Sequence, residues 1–332
     1  LAIAVLPPYR SVSEVDQLKI AAQKIMNNIL LNPGYPHDWG SDVSVRAEHL
    51  ASFGLASYTT LTREAYALDQ DKVQRLSPEA GLLYVPPRTV LELLGLAPDY
   101  GIRLELVPVL SVKVDSQQKR GELIVKVTVT SKQGMPIEGA DVTVVAIYAR
   151  GKRLHSSQNS GQTGVDGVCT LSVESSQPAL LITIVDYQGM RAVNVSVTST
   201  ARSNVRRSLV FGRYLVVDES VSLEGSDVYQ FFISGRPNGV LEVRNVSYAL
   251  TLKSSDGLEG YDVYDMGFEE RNLVAVVVID KGLFLVAYKL VPEDYSSIAG
   301  EVRSPISYTL ERGVRIGLSH YTLKLTIWRM SW

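Results

Sequence analysis

The chain has 332 residues, 45% of them hydrophobic and 20% charged, the proportions of an ordinary globular protein and not of a disordered one. Its 33 lysines and arginines against 35 aspartates and glutamates leave a formal net charge of -2, which excludes a broad field for attracting nucleic acid or an anionic membrane. The length allows two or three cores, and the single cysteine, Cys169, excludes an intramolecular disulfide and a clustered thiolate metal site.

In chain order, Leu1 to Leu6 (LAIAVL) is an apolar run stopped by Pro7-Pro8. It is far shorter than the roughly 20 apolar residues a bilayer-spanning helix needs. Three readings stay open: the end of a transmembrane helix whose start precedes Leu1, the remnant of a processed signal, or a β-strand that pairs with another molecule. In the last, Leu1, Ile3 and Val5 share one face, fill a neighbour's groove, and are joined by Leu6.

Ser11 to Leu31 predicts a helix. Ser11 and Glu14 have capping-box spacing, and Val15, Leu18, Ala22, Ile25, Met26 and Ile29 form one stripe at a 3.6-residue period. Packing of that stripe on its own domain is preferred to an intermolecular stalk, and Asn32-Pro33-Gly34 ends the helix. From Tyr35 to Leu104 short pieces follow, with helices expected over Asp69 to Leu76 and Thr89 to Leu94, the latter closed by Gly95.

Past Gly101 the apolar period becomes two. Strand-like runs cover 102–114, 121–130, 140–149, 167–173, 180–186 and 191–197, separated by turn clusters such as Lys132-Gln-Gly134 and Asn159-Ser-Gly161. No crossover helices lie between them, so the sheets are expected to be antiparallel. The polar, basic stretch Thr200 to Arg207 marks a boundary, and further strands are expected over 209–217, 228–233, 239–252, 260–266, 272–279, 282–290 and 320–329. Val274 to Ile279 is apolar at every position and belongs in the centre of a sheet, and Asp280-Lys-Gly282 makes a hairpin turn.

The fold class is therefore mainly β with an N-terminal α-helix, as tandem antiparallel β-sandwich domains plus a small mixed head. The divisions are an N-terminal segment and amphipathic helix (1–34), a mixed α/β head (35–104), a β-sandwich (105–203) and a C-terminal β domain (204–332).

Local chemistry points away from catalysis. His37, His49, His155 and His320 lack metal-ligand spacing, no GxSxG occurs, and Gly161-Gln-Thr-Gly164-Val-Asp-Gly167 enters a strand without the Lys-Ser/Thr ending of a phosphate loop. Neither catalytic residues nor a metal or cofactor site is assigned. Cys169 lies in an alternating run, which reads as a buried thiol. Asp69 and Asp71 read as acids at a helix N-terminus. The acidic run Asp256, Glu259, Asp262, Asp265, Glu269 and Glu270 could offer oxygens to calcium, although a solvated sheet edge is the preferred reading. Asn194-Val-Ser196 and Asn245-Val-Ser247 match the glycosylation sequon.

Two resemblances add to this. The segments Ser131-Lys-Gln-Gly-Met-Pro-Ile-Glu-Gly-Ala-Asp-Val142, Gly161 to Gly167 and Asp186-Tyr-Gln-Gly189 resemble carboxypeptidase-regulatory-like, immunoglobulin-like β-sandwich modules of surface proteins. The blocks Gln23 to Gly40, Phe53-Gly-Leu-Ala56 and Tyr66 to Leu76 resemble archaeal pilin-like, membrane-anchored cell-surface proteins, in which such a block follows an N-terminal hydrophobic helix. That likeness implies an exported, extracellular protein, with membrane anchorage through a segment preceding Leu1. The expectation is a structural, homopolymeric filament or pilus subunit assembled through Leu1, Ile3, Val5 and Leu6. The alternative is a tethered ectodomain that binds a carbohydrate or protein through loops, with Tyr35, Trp39, Tyr58 and Tyr261 as candidate aromatics.

Overall fold

The computed structural model describes residues 8–58, 66–151, 153–176, 178–198, 205–233, 241–253, 258–267, 272–280, 283–289, 291, 294–296 and 306–330. The fold is mainly β with an N-terminal helix, as the residue pattern predicts. In order come α1 (Pro8–Leu31), β1 (Ala67–Leu68), α2 (Gln70–Gln74), α3 (Pro87–Leu93), β2 (Tyr100–Pro108), β3 (Leu110–Lys119) and β4 (Glu122–Ser131). They are followed by β5 (Asp141–Arg150), β6 (Arg153–Gln162), β7 (Val168–Glu174), β8 (Ala179–Tyr187), β9 (Met190–Thr198), β10 (Val205–Phe211) and β11 (Tyr214–Asp218). The remaining strands are β12 (Asp227–Ile233), β13 (Leu241–Asn245), β14 (Thr251–Lys253), β15 (Tyr261–Asp265), β16 (Leu273–Asp280), β17 (Leu283–Ala287), β18 (Asp294–Ser296), β19 (Ser307–Ile316) and β20 (Ser319–Arg329).

The described residues form two compact units, one built from the chain up to Val107 with parts of 290–316 and 321–332, the other from Pro108–Lys289 with Gly317–His320. In the first, a five-stranded sheet runs in the order β1-β19-β20-β2-β18, with β1 parallel to β19 and β18 antiparallel to β2. Five of the six predicted stripe residues of α1 (Leu18, Ala22, Ile25, Met26, Ile29) enter one core with Val314 and Ile316 of β19 and Leu323, Leu325 and Ile327 of β20, whereas Val15 stays 37% exposed near the start of the helix. Packing of the helix on its own domain is thus what the structure contains. The helix begins at Pro8, so Ser11 lies inside it and is not its cap. The segment 204–332, expected as one C-terminal domain, is divided: its last strands complete the sheet beneath α1.

In the second unit, the antiparallel sheet β3-β4-β7 faces the antiparallel sheet β6-β5-β8-β9 across a core of Val125, Val127, Val144, Ala146, Leu181 and Val185, among others. The opposite face of β5 and β8 is covered from Val145 and Ile184 onward to the far end of the pair. Val145, Ile147, Leu180, Ile182 and Ile184 pack against Phe231, Ala275, Val277, Phe284 and Val286 of an eight-stranded sheet ordered β13-β12-β16-β17-β10-β11-β15-β14. The other face of that sheet closes a third core around Val228, Val276, Val278, Leu285, Leu215 and Val217. Strand β16 sits between β12 and β17 with both faces covered, as its unbroken apolar run predicts. The boundary expected near 200–207 is therefore no separation, because the segments on either side share one core. Its residues 199–204 lie outside the described residues.

Two further expectations are corrected. The sheets are not wholly antiparallel, since β10 runs parallel to β17 with Val205 opposite Phe284. Asn159-Ser-Gly161, expected to turn, belongs to β6, an edge strand whose polar residues have partners on β7: Asn159 Nδ2 donates to Ser172 O at 2.9 Å and Glu174 N donates to Ser157 Oγ at 3.1 Å. Polar composition here closes the edge of a sandwich instead of marking a loop. The turn into β7 is Thr163 to Gly167, where Gly167 takes φ 73° and a Cβ would stand 2.5 Å from Val129 O. Asp280 pairs with Leu283 across the β16–β17 hairpin, and the turn residues 281–282 lie outside the described residues.

Ile182 is fully buried on the β8 face turned toward the eight-stranded sheet. Ile182→Ala is expected to lower the unfolding free energy by about 2–5 kcal/mol, read from the urea midpoint at unchanged slope. A change within about 0.5 kcal/mol, the usual size at a surface position, contradicts the two-faced burial.

Candidate functional site

Among the described residues, the buried charged side chains, Asp71, Lys72 and Arg75, gather in the first unit, where the loop after α1 folds over the short helix α2. Asp69 caps α2, its Oδ1 accepting from Asp71 N at 2.9 Å and Lys72 N at 3.2 Å, in keeping with the expected role of an acid at a helix start. Asp71, Lys72, Val73 and Gln74 of that helix are all buried, as is Arg75 after it. Lys72 Nζ donates to Pro33 O at 2.8 Å and Ala56 O at 3.1 Å, with Asp69 Oδ2 at 4.0 Å. Arg75 Nη1 donates to Val45 O at 2.6 Å and Nη2 to Asp42 O at 2.5 Å. The buried Trp39 indole lies between them, each cation 5.9 Å from its ring centroid, and its Nε1–H donates to Pro33 O at 3.1 Å.

Burial lowers the Lys72 pKa against the raising effect of Asp69, Asp38 and Asp71, and lowers that of Arg75 to about 10. These cations have no exposed surface and direct their donors at loop carbonyls. The arrangement is a clamp that satisfies backbone oxygens of a buried loop, and its cations offer no exposed surface to a substrate. Neighbouring backbone fits tightly: Leu55 N donates to Ile29 O, Ala56 N to Asn32 O, and a Cβ on Gly54 would stand 2.0 Å from Asn32 O.

On the outside of this clamp, Tyr35 (58% exposed), His37 and Tyr58 (44% exposed) form a surface aromatic cluster. The His37 ring stacks on Tyr58 at 4.5 Å and meets Tyr35 edge-on at 5.6 Å, with Nδ1 2.9 Å from Gly34 O. Of the four candidate aromatics, the structure brings Tyr35 and Tyr58 together, buries Trp39 and leaves Tyr261 half-buried in β15.

The remaining candidates are dispersed. Leu1, Ile3, Val5 and Leu6 lie outside the described residues, as do Asp256, Glu269 and Glu270 of the acidic run. Asp265 accepts a bidentate contact from Arg213 and a bond from Gly267 N, and these hold its carboxyl below the usual range. Among the described residues no three His, Cys, Asp or Glu side chains gather as a metal would need. Cys169 is buried, and burial pushes its thiol up. His49 Nδ1 accepts from Arg46 N, His155 stacks on Tyr148, and His320 Nδ1 accepts from Arg191 N. Asn245 is exposed at the end of β13, and Asn194 is half-buried within β9. No helix among the described residues is long and apolar enough to cross a membrane.

Comparison with known proteins finds no matching family model, and no curated protein matches the chain. Sequence patterns miss the Lys72–Trp39–Arg75 clamp because cations on a short amphipathic helix read as surface residues. The signal that bears on it is indirect: Gly34, Gly40 and Gly54 cluster where a side chain would strike Trp39, Lys72 and Asn32 respectively.

A Cβ on Gly40 would stand 2.6 Å from Lys72 Cγ and 2.7 Å from Lys72 N. Gly40→Ala is expected to cost about 1–3 kcal/mol of stability, the range of overpacking. Gly313→Ala, on β19 with nothing within 4 Å of the new Cβ, should be neutral or slightly stabilising. Equal melting temperatures for the two variants would contradict the clamp's packing.

Proposed function

We propose that the chain is a non-enzymatic structural protein of the cell surface, a subunit of an extracellular filament assembled through its N-terminal residues. The supporting observation is the mounting of α1. The helix is continuous from Pro8 to Leu31 and its apolar stripe is committed to the core beneath it. Most of that face is thereby used within the helix's own unit, while Val15, Ile20 and Leu31 of α1 stay exposed. In this reading contact with a second copy is made by Leu1, Ile3, Val5 and Leu6, through main-chain hydrogen bonds and apolar burial. Each fully buried side chain contributes about 1.5–3 kcal/mol before ordering costs. The resemblance of the 23–76 blocks to archaeal pilin-like surface proteins supports export, with membrane anchorage through a segment preceding Leu1. Three stacked β-layers in the second unit are suited to bearing load.

A second reading is favoured by the aromatic cluster. Tyr35, His37 and Tyr58 present ring surface on a support locked by the Lys72 and Arg75 clamp, which suits a tethered ectodomain that recognises a carbohydrate or a partner protein.

Deleting residues 1–7 removes the assembly segment and spares α1. Negative-stain electron microscopy should show filaments from the whole chain and dispersed particles from the truncation, with the same circular dichroism spectrum for both. Filaments unchanged by the truncation refute the proposal. The second reading predicts instead that the whole chain stays monomeric and that Tyr35→Ala with Tyr58→Ala abolishes binding on a glycan or protein array.

A further inference from the structure

Asn194 and Asn245 head the same tripeptide, Asn-Val-Ser, so only the fold can distinguish them. Asn194 stands in the middle of β9, paired with Thr183 of β8 on the face turned toward the three-stranded sheet. Its Oδ1 is shut off from solvent and has no hydrogen-bond partner among the described residues. The backbone around it is engaged on both sides: β8 pairs with one edge, and on the other Arg191 N donates to His320 Nδ1 at 3.1 Å and Val193 N to Ser319 Oγ at 3.0 Å. Although β9 is the edge of its sheet, presenting the Asn194 side chain to an enzyme requires turning it out from the face it shares with Thr183.

Asn245 is the last residue of β13, an edge strand, and its side chain is exposed. The chain then turns, with Ser247 N donating to Asn245 Oδ1 at 2.9 Å and Ala249 N to Val246 O at 2.9 Å, so the carboxamide and Ser247 are held together at a strand end. Asn245 lies opposite Tyr229, and Val243 opposite Phe231, on the same face of the sheet. On that face an open groove of about 310 Å³ runs between β12–β13 and the start of β6, with Val243 48% exposed in its wall. The groove is mixed in character, with Arg153, His155 and Ser156 of β6 facing Tyr229 and Val243, and such a combination of a ring, an aliphatic side chain and polar groups suits the sugars of a glycan attached beside it.

We propose that Asn245, and not Asn194, carries an N-linked glycan whose first sugars lie over the strip formed by Tyr229 and Val243. The inference rests on the extracytoplasmic reading, since the acceptor sequon is used in exported chains. The donor is an oligosaccharide linked through pyrophosphate to a lipid. The bond from the anomeric carbon to the pyrophosphate oxygen breaks, a bond from that carbon to Asn245 Nδ2 forms, and the lipid pyrophosphate leaves with the electron pair. The amide gives up one proton, which a base of the transferase accepts and passes to solvent.

The test uses the folded full chain, an oligosaccharyltransferase specific for Asn-X-Ser/Thr, and lipid-linked oligosaccharide, with intact mass as readout. One glycan's mass should be added. Asn245→Gln should abolish the gain, while Asn194→Gln and Ser247→Thr, which keeps the sequon, should retain it. Short peptides containing either sequon should both be modified, which isolates the fold as the cause of selectivity. No gain on the folded chain, a gain that survives Asn245→Gln, or two glycans would each overturn the assignment. Labelling of intact producing cells with a membrane-impermeant reagent tests export separately. A labelled chain bare at Asn245 overturns the site alone, whereas an unlabelled chain overturns the reading beneath it.

Discussion

Strands β5 and β8 are covered on both faces over most of their length, and the organisation of the second unit follows from that constraint. A strand buried on one side alternates and can end a domain; a strand buried on both needs a layer above and a layer below. Here the lower layer is β3-β4-β7 and the upper is the eight-stranded sheet contributed by residues after 204. Removing the later segment would expose Val145, Ile147, Leu180, Ile182 and Ile184 together, an apolar surface that a soluble domain does not tolerate. The sandwich and the strands after it are therefore one structural body.

The first unit solves a different problem. Its loop from Asn32 to Ala56 has little regular structure, so its buried carbonyls need donors from elsewhere. Lys72 and Arg75 supply them, reaching 39 and 30 residues back along the chain to Pro33 and Val45. Burying two cations carries a desolvation penalty, visible in the lowered Lys72 and Arg75 pKa values, and the hydrogen bonds and Trp39 ring offset it. The result is a hydrogen-bonded loop with aromatic rings on its outer surface, beside a helix that packs Leu18, Ala22, Ile25, Met26 and Ile29 into the same core.

Much of this was legible from residue order. The α1 stripe from Leu18 to Ile29, the Asp69 cap, the central place of β16 and the glycine turn at 134 all follow from periodicity and local backbone chemistry. What stayed hidden depended on contacts far apart in sequence. Strand β6 reads as a loop because Ser157 and Asn159 bond to an adjacent sheet edge, which composition does not reveal. Strand β19 is masked by Arg312 and Gly313, which interrupt the apolar alternation of Tyr308, Leu310, Val314 and Ile316. Its place in the same sheet as β2, some two hundred residues earlier, is a matter of topology and leaves no local trace. Candidate sites fared likewise: Tyr35 and Tyr58 met only because the clamp draws their loops together, while the sequon at Asn194 was concealed by a sheet that its tripeptide does not signal.

The central claim is that sheets separated in sequence share one core and open as a single structure. Native-state hydrogen exchange at increasing denaturant, read strand by strand by mass spectrometry, addresses it directly. The account predicts that amides of β5 and β8 lose protection in the same event as those of β12, β16 and β17. Loss of protection in β12, β16 and β17 while β5 and β8 remain protected would show two independent domains and contradict it.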